Sequence, residues 1–433
     1  MSLNNKKGDM TPFDMTEKPR KQFLPLAVLL WAVSYLMTAR FGMTVKRINM
    51  KGLKPPFLVL STHQGFSDYY ILPRLLFPFR ANYVSDMEGF AGYGKRLYRM
   101  GGCIGKRRYV SDTAVIRNIS HALYELKQPV VIFPESRHCD GGITSRLPDN
   151  MGRLVKHFNV PLVMVSVHGS YLANPFWDEG HTRKTKMSAV IEQVYTEDEI
   201  SRMSAEDIQK TIENKLAYDE YAWQAENRVE IGYPRRAEGL HLPLYKCICC
   251  HSEGCMESRS SELYCTACGE SWHMDKYGRL TDSSGVMYHI PDWYSWEREC
   301  VRNEVMSGGY NGIEVPVRVE ALPNEKGFVF MGSGLFSHDM NGCVLRLDDM
   351  DSEAVRAAAD KFPLVINSRC LPSIHTEYDY RGRGKCVVLS TRDCCYYIYS
   401  SSPEFIVTKL EFAAEEIFGY NKMSGNKNAA VKK

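Results

Sequence analysis

Three unbroken apolar runs, "FLVLST" (57–62), "VVIF" (130–133) and "PLVMVSV" (161–167), are short enough to be buried strands. Between the first two, "TAVIRNISHALYEL" (113–126) places apolar residues at 115, 116, 119, 122, 123 and 126, a helical period. Ser111 or Asp112 can cap this helix, and Pro129 follows its end. Residues 196–228 are charged and periodic and predict one or two helices, with Thr196 as a cap. Strands alternating with helices in this way predict an α/β domain with a largely parallel sheet.

The pattern changes near residue 232. "GYPRRAEGLHLP" (232–243) is expected to be a linker or a strap between domains, and a cysteine-rich stretch follows it. "IPDWYSWERE" (290–299) puts Trp293 and Trp296 on one helical face, expected to pack. From about 313 the chain turns to β-like runs: "IEVPVRVEAL", "KGFVFMGSG", "KCVVLST" and "CYYIYS". "DSEAVRAAADKF" predicts a helix among them, and "SPEFIVTKLEFAAEEIFG" predicts one that closes the region. No internal repeat is visible. The domains expected are 1–45, a polar leader with an apolar helix; 46–235, the α/β domain; 236–285, a metal ribbon; and 286–433, a C-terminal α+β domain.

Composition narrows the class. The chain has 433 residues, 44% hydrophobic and 24% charged, which is globular. A net charge of +3 does not by itself argue for nucleic acid, but its distribution is uneven. Residues 1–51 hold nine Lys or Arg against three acids, flanking "QFLPLAVLLWAVSYLMTA" (22–39). That uncharged stretch makes about 27 Å of helix, just under a ~30 Å hydrocarbon core. It is apolar on all sides and is expected to embed in the cytoplasmic leaflet, with Arg40, Lys46 and Arg47 at the headgroups. A single span and a buried core helix are the alternatives. The fourteen cysteines show no disulfide framework, which suits a reducing compartment.

Four of the cysteines have metal spacing. Cys247-x2-Cys250 and Cys265-x2-Cys268 stand fourteen residues apart and supply four thiolates, the donor set of a tetrahedral structural zinc. Cys249, Cys255, His251 and His273 are rival ligands. With four thiolates no coordination position stays open, so the zinc is expected to be structural. The ribbon lacks the dense basic and aromatic surface of a nucleic-acid module, and no nucleic-acid partner is expected.

Candidate chemistry begins at "VLSTHQGFSDYYIL" (59–72), where His63 and Asp68 follow the first strand. Spacing alone is equally that of a loop histidine and a helix-capping aspartate. A carboxylate on one ring nitrogen would instead fix the tautomer and let the other nitrogen deprotonate a hydroxyl. No Gly-x-Ser-x-Gly elbow is present, so no serine intermediate is expected. "MGGCIGKRRY" (100–109) and "VVIFPESRHCDGG" (130–142) add glycines, arginines and Glu135 beyond strand-like runs.

In this order, His63/Asp68, Gly101 to Arg107, Phe133-Pro134-Glu135-Ser136-Arg137 and Val160-Pro161-Leu162-Val163 resemble the four motif blocks of the 1-acylglycerol-3-phosphate (glycerolipid) acyltransferase family. The resemblance covers about residues 45–200. The third block lacks the family's Gly and brings its Arg one residue closer to Glu135, which bears on the acceptor. The resemblance implies an α/β acyltransferase sheet flanked by helices. It implies His63 as base and Asp68 as its orienter, with Gly101, Arg107, Glu135 and Arg137 binding substrate. Acyl-CoA or acyl-carrier protein would donate to a lysophospholipid-like acceptor at the cytoplasmic face of a membrane. An inactive acyltransferase-like domain serving as a zinc-ribbon adaptor, and a non-glycerol lipid acceptor, are the competing expectations. A protein partner for the C-terminal region is not identifiable from sequence.

Overall fold

The computed structural model describes residues 8–178, 181–349, 353–356 and 358–430. Three sheets organise the chain. The first holds β1 (Thr44–Ile48), β2 (Leu58–Ser61), β3 (Asn82–Asp86), β4 (Cys103–Lys106), β5 (Val130–Ile132), β6 (Leu162–His168) and β7 (Ser188–Tyr195). Their order is β1-β7-β6-β2-β5-β3-β4, and every pairing is parallel except β6 with β7. β2 is fully buried because both faces are covered, which is why its sequence is a continuous apolar run. The helix predicted at 113–126 is regular over Thr113–Ser120, capped by Asp112, and then loosens into a wider π turn at His121–Glu125. Thr196 caps the helix Glu197–Arg202 with a reciprocal Glu199 contact.

The second sheet is an antiparallel ribbon of β8 (Met256–Arg259), β9 (Glu262–Cys265), β10 (Ser271–Met274), β11 (Leu280–Asp282) and β12 (Met287–Tyr288). Residues 232–243 strap across it: Ala237 N–H donates to Ser260 O and Gly239 N–H to Ser258 Oγ. Trp272 of β10 meets Trp293 of the helix Ile290–Ser307, ring centroids 4.8 Å apart, and Trp293 Nε1 donates to Lys246 O. Trp293 therefore packs, as its apolar face requires.

The third sheet is wholly antiparallel. It contains β13 (Ile313–Leu322), β14 (Val329–Asp339), β15 (Gly342–Asp349), β16 (Leu364–Asn367), β17 (His375–Glu377), β18 (Cys386–Ser390) and β19 (Cys395–Tyr399). Its order is β16-β15-β14-β13-β19-β18-β17. The helix expected over 351–362 is described only at Glu353–Arg356, with a 3-10 turn at Ala359–Lys361; residues 351, 352 and 357 of it lie outside the described residues. The closing helix, Val407–Ala430, buries Leu410, Phe412, Ala413 and Ile417. The C-terminal sheet is fused to the first: Leu322, Phe328, Val388 and Tyr397 share one apolar core with Leu58, Leu60, Phe90 and Ile104.

The apolar stretch 22–39 forms the helix Leu24–Ala39. Its Ala27, Ser34 and Thr38 are buried, while Leu24, Val28, Leu29 and Leu36 are exposed, Leu36 by 74%. It lies on the surface against the helix Asp68–Leu76, held by Arg74 Nη1 donating to Thr38 Oγ1 at 2.7 Å and by Trp31 edge-on to Phe77 at 5.0 Å. A core helix is thus set aside, and among the described residues no helix is long and apolar enough to cross a membrane.

Candidate active site

His63 follows β2, the central strand. The carboxyl ends of β3, β4, β5 and β6 all open toward the same edge, where open α/β sheets bind ligands. His63 Nδ1 lies 3.1 Å from Asp68 Oδ2. That same oxygen accepts the backbone N–H of Gln64 at 2.7 Å and of Gly65 at 3.2 Å, and Oδ1 accepts Ser170 Oγ–H at 2.7 Å. Asp68 is the first residue of its helix, yet its carboxylate turns back to the preceding loop and bonds none of the helix's own amides. The helix-cap alternative is therefore excluded. Asp68 is 99% buried, and a carboxylate there fixes Nδ1 as the protonated nitrogen. No protein group among the described residues bonds Nε2 of His63, and the side chain is 10% exposed.

The imidazole is held on three sides. Phe133 stacks on it at 4.1 Å, His138 meets it edge-on at 4.3 Å and Tyr69 at 6.1 Å. Burial, with the charges of His63 and Arg108 adding, keeps His138 well below the usual histidine range. Phe66 and Tyr69 stand exposed at the rim. Glu135, just beyond β5, fixes the backbone: its Oε1 accepts His63 N–H at 2.8 Å, and its Oε2 accepts Ser145 N–H at 2.8 Å and Tyr218 O–H at 3.0 Å. Burial raises the Glu135 carboxyl to about 7, opposed by those three hydrogen bonds.

The remaining expected substrate ligands are placed elsewhere. Gly101 precedes β4 and so lies at the amino end of a strand parallel to β3, across the sheet from His63; its N–H closes a turn onto Leu97 O. The tight position there is Gly102, at φ +84°, where a Cβ would meet Ala81 O at 2.8 Å. Arg107 is 97% buried and donates to Arg392 O, Asp393 O and Pro323 O at 2.7, 2.9 and 3.2 Å. It bolts the first sheet to the third. Arg137 pairs with Asp140 at 2.9 Å and with Glu411 of the closing helix. Both guanidiniums are engaged within the protein, Arg107 by three carbonyls and Arg137 by two carboxylates.

Lys106 is the last residue of β4, and Arg107 and Arg108 follow it outside the strand. Lys106 and Arg108 take partners other than those of Arg107. Lys106 Nζ reaches Ser136 Oγ at 3.1 Å, with no carboxylate partner among the described residues. Burial, with Arg108 nearby, pushes its ammonium down to about 8. Arg108 pairs with Asp86 and Glu88 at 2.6 and 2.9 Å. Tyr397 of β19 also donates to Glu88, at 2.6 Å, so the C-terminal sheet walls this side.

The four cysteines come together as expected. Cys247 and Cys268 sulfurs are 3.8 Å apart, Cys250 and Cys265 3.7 Å, and all four lie within 4.8 Å of one another. Thiolates at ~2.3 Å from one zinc stand about 3.8 Å apart in a tetrahedron. Both knuckles have the same backbone. Cys247 N–H donates to Ser252 O and His251 N–H to Cys247 O; Cys265 N–H donates to Glu270 O and Gly269 N–H to Cys265 O. His251 and Gly269 both take positive φ, +61° and +80°. The group can hold a metal ion; Cys249, Cys255, His251 and His273 are outside it.

No family model matches the chain, and no curated protein matches it. Among solved structures it is similar to the 1-acyl-sn-glycerophosphate (LPA) acyltransferase PlsC of Thermotoga maritima. The TM-score is 0.37 at 16% identity, covering 44% of this chain and 76% of that one. At that score the likeness defines no shared fold.

Proposed function

We propose that this protein is an O-acyltransferase that moves an acyl group from a thioester to the hydroxyl of a lysophospholipid-like acceptor, 1-acylglycerol-3-phosphate being the first candidate. The observation that carries this reading is the His63 Nδ1 to Asp68 Oδ2 contact at 3.1 Å, with Nε2 of the 10%-exposed side chain bonded by no protein group among the described residues. Nε2 takes the acceptor's hydroxyl proton. The oxygen attacks the thioester carbonyl, the carbon–sulfur bond breaks, and the leaving thiolate takes from His63 the proton that came from the acceptor hydroxyl. Base catalysis of this kind is worth roughly 10²–10⁴-fold. Glu135 holds the His63 main chain in register, and Lys106, which has no carboxylate partner among the described residues, takes the acceptor's phosphate.

Membrane association belongs to the same proposal. The exposed apolar face of Leu24–Ala39 adjoins Phe77, and Phe66, Tyr69 and Tyr70 add exposed aromatic surface, Tyr69 with its ring 6.1 Å from His63. An apolar face with basic flanks suits a lipid surface, where both acyl chain and lysolipid reside. The four thiolates take a structural Zn²⁺ that locks the ribbon under Trp272 and Trp293. The donor is acyl-CoA or acyl-carrier protein.

The test is a panel: the purified chain with labelled acyl-CoA or acyl-carrier protein and mixed micelles of several lysolipids. Label appearing in diacyl product supports the reading. Absence of label from every acceptor with both donors contradicts it and favours the adaptor.

A further inference from the structure

At the seam between the first and third sheets, β17 meets the helix Met87–Tyr93 that follows β3. His375 and Glu377 stand two apart on β17 and so take one face of the strand. Thr376 takes the other and donates to Glu411 of the closing helix at 3.1 Å. Glu88 comes from the first turn of the facing helix. A ring nitrogen of His375 and one carboxylate oxygen from each glutamate all lie within 4.8 Å of one another. His375 and Glu377 are buried, and Glu88 keeps 23% of its side chain at the surface.

The imidazole is only half satisfied. Its Nε2 lies 2.7 Å from Glu377 Oε1. Its Nδ1 has no hydrogen-bond partner among the described residues, although His375 is 97% buried. A neutral ring that gives Nε2–H to the carboxylate keeps a bare lone pair on Nδ1, the form in which histidine ligates a metal. Charge points the same way. Asp86, Glu88 and Glu377 place three carboxylates around the guanidinium of Arg108, which pairs with the first two at 2.6 and 2.9 Å. Lys106 turns instead to the hydroxyl of Ser136, and Arg137 is matched by Asp140 and Glu411. The seam holds an excess of negative charge, and buried charges are paired or coordinate metals.

We propose that Glu88, His375 and Glu377 form a site for a first-row divalent cation, which pins the edge of the C-terminal sheet to the α/β domain. Two carboxylates suit Mn²⁺, and the imidazole extends the range to Zn²⁺ and Fe²⁺. The donor set differs from that of the ribbon, whose four thiolates select zinc and disfavour Mn²⁺. Three protein donors leave further positions for water or an anion. The ligands are drawn from parts of the chain almost 290 positions apart, so the cation joins what the sequence separates. The inference does not depend on acyl transfer.

Electron paramagnetic resonance of the full, zinc-loaded chain titrated with MnCl2 tests it. Saturable uptake of about one Mn²⁺ per chain is expected, with spin-echo modulation from an imidazole nitrogen. Glu88→Gln, at a partly exposed position, and Glu377→Gln should each weaken uptake roughly tenfold or more, with far-ultraviolet dichroism matched to wild type. His375→Ala should remove the nitrogen modulation. Cys265→Ser, which empties the ribbon, should leave Mn²⁺ uptake in place. Absence of saturable uptake by the wild type, bound Mn²⁺ without nitrogen modulation, or uptake unchanged in either glutamate variant overturns the site.

Discussion

Asp68 uses one oxygen to accept His63 Nδ1–H and two backbone amides, those of Gln64 and Gly65. Base and orienter thus belong to one six-residue stretch, 63–68, whose shape is fixed by the carboxylate itself. Asp68→Asn replaces one oxygen by an NH2 that cannot accept these donors. If the amide oxygen keeps the backbone bonds, Nδ1 has only a poor partner and the tautomer is no longer fixed. The expected outcome is a kcat lower by roughly 10²–10⁴-fold with KM changed less than threefold. Steady-state kinetics on the best acceptor of the panel check it.

Lys106 and Arg107 are neighbours in sequence and differ in job. Lys106→Met should raise KM for phosphate-bearing acceptors about tenfold or more, since charge-assisted hydrogen bonds are lost, while the melting temperature changes little. Arg107→Met leaves three carbonyls without their donor. It should lower stability by about 2–4 kcal/mol and leave the KM of the folded fraction near wild type. Thermal melts with acceptor titrations separate the two.

Glu135 makes stability depend on pH. Its folded pKa, about 7, is above the ordinary glutamate value of 4.5, so between those values the folded state holds the proton more tightly than the unfolded chain. Stability is then highest below pH 4.5 for this group and falls as pH rises toward 7, by roughly 3 kcal/mol at most. Asp140, raised to about 7 by burial, acts in the same direction. Urea unfolding at pH 5 and pH 8 should show wild type losing more stability than Glu135→Gln over that interval.

The ribbon should contain about one zinc per chain by elemental analysis. Cys265→Ser should lose it and expose Trp272 and Trp293, read as a red shift in tryptophan emission. Cys249→Ser should keep the metal, because Cys249 is outside the four-sulfur group.

What could be read from the sequence was what local pattern dictates. β2, β5 and β6 are apolar runs, and the two cysteine knuckles declare themselves by spacing. His63 and Asp68 were legible because a single loop contains both. Glu135 was legible as a candidate but not its role, since its contact with His63 N–H crosses 72 positions. Ser170 and Tyr218 were missed for the same reason. A signal for Ser170 existed: Gly169 precedes it at φ +86°, a position where a Cβ would strike Lys186 O, so the strand must end in a glycine turn there. Arg107 was legible as a basic residue but its bonds were not, since its carbonyl acceptors lie 216 to 286 positions away. β16 and β17 are four and three residues long, too short to show a period.

The central claim is that Nε2 of His63 deprotonates the acceptor. Its most direct measurement is the single-turnover rate of acyl transfer by wild type and by His63→Ala, with zinc content and far-ultraviolet dichroism matched to show the same fold. The account predicts a rate at least 10²-fold lower in the variant. Equal rates from the two proteins would contradict it.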